Sequence, residues 1–212
     1  MVLISQKIAA IALAVGVAAL SLPALSLRAL ANVQAGKAAP DFTAVDSNGK
    51  SHQLSSFKGR TVVLEWTNDG CPYVQKHYGA GNMQALQKAA SDAGVVWLSV
   101  ISSSPGTQGH VDGAAANKLT TDRKAQPTAV LLDPVGKVGK LYDAKTTPHM
   151  YVIDPKGNLA YAGAIDDKPT ANQADIKGAR NYVTEALTAV AAGKTPAVTT
   201  TRAYGCSVKY GS

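Results

Sequence analysis

Apolar residues along this chain fall into short runs that predict strands, separated by segments whose apolar spacing or turn residues predict helices. The predicted strands span residues 42–45, 51–54, 61–66, 95–101, 129–132, 150–153 and 159–164, and the predicted helices span residues 72–93, 111–119, 135–142 and 172–192. The runs at 61–66 and 95–101 are almost unbroken, which is typical of strands buried on both faces of a sheet. Strands that alternate with helices predict an α/β domain with a mainly parallel sheet, to which the final hairpin adds antiparallel strands.

The first 31 residues have a different pattern, which predicts an export signal. Lys7 precedes twenty residues without a charge, Pro23 interrupts the end of this run, and Ala29–Ala31 has the small residues that signal peptidase requires. An uncleaved membrane anchor is the alternative, because about twenty apolar residues can also span a bilayer. We therefore expect an exported protein, periplasmic or secreted, that meets a membrane only if this segment stays attached.

The composition fits one globular domain followed by a short tail. Of the 212 residues, 46% are hydrophobic and 17% are charged, which excludes a mainly disordered chain. We assign residues 32–192 to the domain and residues 193–212, rich in Thr and small residues, to the tail. The net charge of +7 comes from scattered Lys and Arg, without the basic stripe interleaved with aromatic residues that is typical of nucleic-acid binding.

The two cysteines, Cys71 and Cys206, are too few for a disulfide scaffold or a cysteine-rich zinc site but enough for one redox pair. Cys71 lies where a buried strand leads through a loop into a helix, and Pro72 suits the first turn of that helix. Free backbone N–H groups and the positive end of a helix dipole favour a thiolate at such a position. A thiolate is the nucleophile in disulfide exchange and in peroxide reduction; a buried and inert cysteine is the alternative.

Two further features fit chemistry around Cys71. Glu65 lies within an otherwise apolar strand, where burial would raise its pKa and suit it to exchange a proton with a reacting sulfur; an edge position or a salt bridge is the alternative. Pro148 comes shortly before a strand, and a cis bond between Thr147 and Pro148 would leave the preceding backbone able to pair with an extended substrate.

In combination these features resemble the thioredoxin fold, and more closely its redoxin branch, the superfamily of alkyl hydroperoxide reductase and thiol-specific antioxidant proteins. The resemblance extends over about residues 37–192. Its most specific motifs, with one more in the tail, are Trp-Thr-Asn-x-x-Cys-Pro-Tyr-Val at 66–74, Gly-Thr-Gln-Gly at 106–109, Thr-Thr-Pro-His at 146–149, Gly-Ala-Ile-Asp-Asp at 163–167 and Gly-Cys-Ser-Val-Lys-Tyr at 205–210. The resemblance implies a thioredoxin-like α/β fold, with a central mixed sheet and helices on both faces. It also implies that Cys71 is the attacking cysteine, Glu65 the buried acid and Pro148 the cis-proline at the site.

The chain departs from this family at two places. Val74 stands where a Cys-x-x-Cys motif would have its second cysteine, so the helix offers no neighbouring thiol. Asn68 and Leu64 stand where typical peroxidases of the family carry a threonine or serine and a proline. The hydroxyl that would position a peroxide is therefore missing, which argues against peroxidase activity.

Cys206 is the remaining candidate to resolve a disulfide formed by Cys71. It lies in a tail that we expect to be flexible, and such a tail could fold back over the site. A permanent disulfide staple is the alternative, since closing so long a loop would stabilise the fold by roughly 5 kcal/mol.

The other site residues are predicted because they lie close to Cys71 in the sequence or in the expected fold. Trp66, Pro72, Thr147 and Pro148 are the expected substrate-binding residues, although Trp66 could equally serve in packing. His77 is expected at the surface. We predict no cofactor and no metal site, because Gln75 stands where a copper-delivery Cys-x-x-x-Cys pair would have its second cysteine.

Three functions are compatible with these residues. The first is an exported thiol-disulfide oxidoreductase, in which Cys71 attacks the disulfide of a partner, Glu65 handles the proton, Cys206 resolves the mixed disulfide, and an upstream thiol reductant restores the pair. The second is a thiol peroxidase whose Cys71 becomes a sulfenic acid and condenses with Cys206. The third is a binding module without redox activity, whose Cys71–Cys206 disulfide is only structural.

Overall fold

The computed structural model describes residues 33–211, so the predicted signal segment, residues 1–31, lies outside the described residues. The strands are β1 Thr43–Asp46, β2 Ser51–Gln53, β3 Val62–Trp66, β4 Val96–Ile101, β5 Ala129–Leu132, β6 Thr146–Thr147, β7 His149–Ile153, β8 Leu159–Gly163 and β9 Cys206–Ser207. The α-helices are α1 Pro72–Gly79, α2 Asn82–Asp92, α3 Gly113–Asp122, α4 Lys137–Leu141 and α5 Tyr182–Ala191.

Seven of these strands form one mixed sheet in the order β2-β1-β5-β4-β3-β7-β8, and β6 pairs with β9 in a separate two-stranded sheet. Strand β4 runs parallel to both β3 and β5, whereas the other neighbouring pairs of the large sheet are antiparallel. The prediction of an α/β fold with a central mixed sheet is confirmed. The expectation that the sheet would be mainly parallel is wrong, because β1 enters as part of a hairpin and adds to β5 in the antiparallel sense.

The central strand β3 separates two hydrophobic cores. All of its residues are buried, and successive side chains point to opposite faces of the sheet. Leu64 and Trp66 pack on the face that α4 covers. Val63 packs on the other face, together with Cys71 and residues of α1, α2 and α5. Helices therefore cover both faces, and β3 carries the chain directly to the loop before Cys71.

Glycines divide two of the predicted helices. Gly79 and Gly81 predict a bend near the middle of the helix over 72–93, and the structure has two helices there, because Gly81 has a φ of 72° in the left-handed region and the chain turns before α2. The predicted helix over 172–192 begins only at Tyr182. Gly178, with a φ of 85°, interrupts it, and the Asn181 side chain caps α5 by accepting a hydrogen bond from the Thr184 backbone N–H.

The tail does not project from the domain. Strand β9 pairs antiparallel with β6, and the Tyr210 hydroxyl donates to the Ala144 carbonyl at 2.7 Å. The backbone N–H of Ser104 donates to the Lys209 carbonyl at 2.9 Å. The expectation of a flexible tail is therefore corrected, since these contacts fix residues 206–210 along the edge of the domain.

Candidate active site

Cys71 is the N-terminal cap residue of α1 and is fully buried. Its backbone N–H donates to the Asn68 carbonyl at 3.1 Å, and its own carbonyl accepts from the Gln75 N–H at 2.9 Å. Pro72 occupies the first helical position, where its missing N–H breaks no hydrogen bond. The loop and the helix thus hold the sulfur at the positive end of the α1 dipole.

A cis peptide bond joins Thr147 and Pro148 opposite Cys71. The Cys71 thiol donates to the Thr147 carbonyl oxygen, with 3.0 Å between the sulfur and that oxygen. The Thr147 hydroxyl is buried and has no hydrogen-bond partner among the described residues, and Thr147 is among the groups that lower the pKa of Cys71. The Thr147 carbonyl thus accepts from the Cys71 thiol, and the hydroxyl is an unused donor in the same residue.

Strand β9 brings Cys206 to the same place. In the β6–β9 pair, Cys206 lies directly opposite Thr147, whose carbonyl already touches the Cys71 sulfur. Cys206 also packs against the hydrophobic cluster that contains Cys71, and each thiol shifts the pKa of the other. The two cysteines are free thiols in this structure. Residues that are 135 positions apart in the sequence thus meet at one site.

The pKa values of the two thiols move in opposite directions. Burial alone would raise the pKa of Cys71, but polar groups of Cys206 and Thr147, together with backbone N–H groups, hold it below its ordinary value. Burial and the neighbouring Cys71 sulfur raise the pKa of Cys206 to about 11. Cys71 is therefore the better thiolate of the two.

Glu65 lies on the same face of the sheet as Cys71, but its hydrogen bonds lead elsewhere. Its carboxyl group accepts from the buried side chains of Tyr78, Gln87, Trp97 and Ser99. Burial raises the pKa of Glu65, while the hydrogen bonds from Trp97 and Tyr78 oppose that change. Among the described residues, none of its hydrogen bonds reaches Cys71. Glu65 is thus a fully buried acid close to the site, without a direct link to the sulfur.

Trp66 does not join the other predicted site residues. Its ring lies on the opposite face of β3, fully buried between Tyr142 and Tyr151, and its indole N–H donates to Ser102 at 3.0 Å. Alternation along the strand explains this placement, because Glu65 already occupies the Cys71 face. The expectation that Trp66 binds substrate is therefore corrected to a role in the core.

An open cavity of about 490 Å³ lies beside the site. Thr146 and His149 line it on one side, and residues 200–203 of the tail line it on the other. Burial lowers the pKa of His149 to about 4, so its ring is neutral at pH 7. Neither Cys71 nor Cys206 lines this cavity, and its residues Tyr142 and Tyr151 belong to the core on the other face of β3, so the cavity is separate from the two sulfurs.

Sequence reasoning missed a buried polar cluster formed by Lys76, His77, Asp166 and Tyr204. His77, expected at the surface, is fully buried because Asn82 and Tyr204 satisfy its two ring nitrogens. Asp166 belongs to the motif at 163–167, and Tyr204 precedes the motif at 205–210. The two motifs drew attention to these segments in the sequence, but nothing in the sequence pattern indicated that the segments lie together in the fold.

No helix within residues 33–211 is long and apolar enough to cross a membrane. No group of three or more His, Cys, Asp or Glu side chains in this range is arranged to hold a metal ion.

The mixed sheet, with a cysteine at a helix start facing a cis-proline, places the protein in the thioredoxin-fold class. The solved structure of an uncharacterized conserved protein from Geobacillus kaustophilus has the same fold, with a TM-score of 0.73 and 23% identity over 84% of this chain and 93% of that one. Residues 35–162 match the AhpC/TSA family, and the chain belongs to this family.

Two curated relatives are similar over part of the chain. Thiol-disulfide oxidoreductase ResA of Bacillus subtilis (strain 168) is 29% identical over 136 residues, which is 56% of this chain and 73% of that protein. Peroxiredoxin Q, chloroplastic, of Triticum aestivum is 29% identical over 137 residues, which is 61% of this chain and 58% of that protein. Together with the family match, they confirm the prediction of a redoxin and a redox enzyme.

Proposed function

We propose that this redoxin is an exported thiol-disulfide oxidoreductase in which Cys71 is the nucleophile and Cys206 the resolving cysteine. One observation carries the proposal: β9 places Cys206 directly opposite Thr147, whose carbonyl oxygen lies 3.0 Å from the Cys71 sulfur. The lowered pKa of Cys71 and the raised pKa of Cys206 support this assignment of roles. The name of the ResA relative supports a partner that carries a disulfide.

The reaction has two exchange steps. In the first, the Cys71 thiolate attacks one sulfur of the partner's disulfide; a bond forms between them, and the other partner sulfur leaves as a thiolate. In the second, the deprotonated Cys206 attacks the Cys71 sulfur, and the remaining partner sulfur leaves. The partner gains two electrons and the two protons released by the cysteines. The protein is left with a Cys71–Cys206 disulfide, which an upstream thiol reductant returns to two thiols.

Neighbouring residues have supporting roles in this proposal. Thr147, whose carbonyl accepts from the Cys71 thiol and whose hydroxyl is unpaired, is the neighbour we assign to stabilise the thiolate. The Thr147–Pro148 backbone, with Pro72, forms the surface against which a substrate lies. We assign Glu65, whose pKa burial raises, to proton exchange as the sulfurs change charge; it would act without direct contact, because its hydrogen bonds lead to Tyr78, Gln87, Trp97 and Ser99 rather than to Cys71. The export pattern of residues 1–31 supports a place outside the cytoplasm, where disulfides persist.

The test is a redox titration of the mature protein in graded thiol-disulfide buffers, followed by alkylation and counting of free thiols by mass. We expect a Cys71–Cys206 disulfide with a potential above about −230 mV, as a working pair requires. The variant Cys206→Ser should form a lasting mixed disulfide with a substrate, because nothing resolves it.

Two outcomes would contradict the proposal. A potential below about −300 mV would show a staple that resists reduction, and the protein would then be a module with a structural disulfide. Two thiols that never pair would remove Cys206 from the reaction.

A thiol peroxidase is the second candidate, favoured by the complete burial of Cys71, which a small peroxide can reach more easily than a protein can. Here the thiolate attacks one peroxide oxygen, the O–O bond breaks and an alcohol or water leaves; Cys206 then displaces water from the sulfenic acid. The Asn68 amide donates to the Gln108 carbonyl and accepts from the Gly70 N–H, so it is not free to orient a peroxide. We therefore expect slow peroxide consumption by the reduced protein in a rapid-mixing assay; fast consumption would favour the peroxidase.

A further inference from the structure

Tyr204, two residues before Cys206, anchors the tail in a buried cluster beside Cys71. Its hydroxyl donates to Asp166, and His77 Nε2 lies 3.2 Å from the same hydroxyl. The Lys76 ammonium lies 5.5 Å from the centre of the Tyr204 ring. The Tyr73 ring packs on the outer side, with 5.8 Å between the two ring centres. One side chain of the tail thus touches four residues of the domain, two of them charged.

The cluster has a fixed direction of hydrogen bonding. Asn82 Nδ2 donates to His77 Nδ1 at 2.9 Å, so the ring proton is on Nε2 and is donated to the Tyr204 oxygen. The Tyr204 hydroxyl then has its own proton available for Asp166. The hydrogen bonds thus run in one direction, from Asn82 through His77 and Tyr204 to Asp166. The Tyr204 hydroxyl both accepts and donates in this chain, which fixes its orientation.

The charges of the cluster are compensated inside the protein. Lys76 Nζ lies 3.4 Å from Asp166 and donates to the Lys168 carbonyl at 2.7 Å. The side chains of Lys76 and Asp166 are 0% and 2% exposed. A buried carboxylate needs all of its hydrogen bonds, and Tyr204 supplies one of them. The buried charge pair therefore has its full set of hydrogen bonds only when the tail is in place.

The residue between Tyr204 and Cys206 is a glycine for a local reason. Gly205 has a φ of 132°, and a Cβ atom there would overlap the Thr147 carbonyl oxygen. The backbone of the tail can therefore pass directly over the cis peptide bond. Three consecutive residues of the tail therefore have three roles: Tyr204 anchors the tail, Gly205 allows it to approach the Thr147 carbonyl, and Cys206 carries the thiol.

We propose that Tyr204 is a positioning residue, which clamps β9 onto β6 and thereby sets Cys206 against the Cys71 sulfur while closing the site. The inference rests on the proposed function only for its second half, the delivery of Cys206. While β9 is in place, Thr146 and Thr147 already have a strand partner, and Cys71 is fully buried. An incoming disulfide therefore meets a closed site, and release of the Tyr204 anchor opens it.

The test mixes the reduced protein with one equivalent of 5,5′-dithiobis(2-nitrobenzoate). Each molecule of this reagent can release two coloured thionitrobenzoate ions, one after the other. The first release follows attack by Cys71, and the second follows closure of the Cys71–Cys206 disulfide. We expect Tyr204→Phe to speed the first phase by about tenfold, because the closed site opens, and to slow the second by about tenfold, because Cys206 is no longer held. A general loss of structure would also expose Cys71 and separate it from Cys206, so the variant must have the same circular dichroism spectrum and the same urea denaturation midpoint as the parent protein; a lower midpoint with the same kinetic pattern would overturn the inference.

Two further variants complete the design. Tyr182→Phe is the matched control. Tyr182 is half-buried and stacks on Tyr161, and the Tyr182 hydroxyl forms no hydrogen bond among the described residues. Both phases should be unchanged in this variant. Gly205→Ala leaves the buried cluster intact but displaces β9, and it should reproduce the Tyr204→Phe pattern.

The outcomes separate this inference from the proposed function. If Tyr204→Phe leaves both phases as they were, Tyr204 is not a positioning residue, and the resolving role of Cys206 stands. If the parent protein lacks the second phase, Cys206 does not resolve, and the proposed function fails. In that case iodoacetamide labelling of Cys71 in a Cys206→Ser background still decides the clamp: an unchanged rate with Tyr204→Phe overturns it, and an increase of about tenfold supports it.

Discussion

Cys71 and Cys206 carry the same side chain, yet their surroundings move their pKa values in opposite directions. Burial would raise the pKa of both thiols, but only Cys71 lies at a helix N-terminus, and polar groups of Cys206 and Thr147 lower its pKa. Burial and the neighbouring Cys71 sulfur raise the pKa of Cys206 to about 11. The difference between the two pKa values is therefore a property of the site rather than of the residue.

Substituting Thr147 is the most direct test of how the surroundings set the pKa of Cys71. In a Cys206→Ser background, Thr147→Val removes a donor from the thiolate, and the midpoint of the pH dependence of Cys71 alkylation should rise by about 1 pH unit. Thr147→Ser, which keeps the hydroxyl, is the matched control and should keep the midpoint. An unchanged profile for Thr147→Val would mean that the hydroxyl does not act on the sulfur.

At the scale of elements, apolar periodicity predicted the central strands within about one residue, but it overextended the helices at glycine. Residues 61–66 and 129–132 were predicted as strands, and β3 and β5 occupy Val62–Trp66 and Ala129–Leu132. Helical spacing continues through Gly178, where the backbone does not. Buried strands have a strong apolar signal, whereas a helix boundary depends on one cap and one backbone angle.

The start of α5 can be tested through its cap. Asn181→Ala should lower the free energy of unfolding by about 1 kcal/mol, measured by urea denaturation, because the Thr184 N–H loses its acceptor. Asn172→Ala is the control, since its side chain caps only a short 3-10 segment and should cost clearly less. Equal losses would place the helix start nearer to Asn172, as the sequence pattern suggested.

At the scale of the whole molecule, folding buries polar groups that the sequence pattern placed at the surface or left unassigned. The tail closes over the edge of the domain, and the rings of His77 and His149 are buried next to it. Burial lowers the pKa of His77 and of His149 to about 4. Global stability therefore depends on pH through residues that are far apart in the sequence.

The sign of that dependence follows from proton counting. An unfolded histidine has a pKa of about 6.5, so between about pH 6.5 and pH 4 the unfolded chain binds more protons than the folded one. Stability should fall as the pH falls through this window, by on the order of 3 kcal/mol for one such ring. Urea denaturation at pH 7 and pH 4 measures it. His149→Asn should reduce the difference, and the exposed control His110→Asn should leave it unchanged; the reverse order would contradict the assignment.

Local patterns in the sequence are enough to predict the α/β class, the central strands, a cysteine at a helix start and a proline segment before a strand. These features depend on apolar runs, a Cys-Pro after a strand, and a proline before a strand. The packing of the folded chain is needed to show that Cys206 lies near Cys71, that Trp66 faces away, and that Tyr204 joins Lys76 and Asp166 in a buried cluster. Those outcomes depend on which distant segments pack together, and neither periodicity nor spacing along one chain specifies that packing.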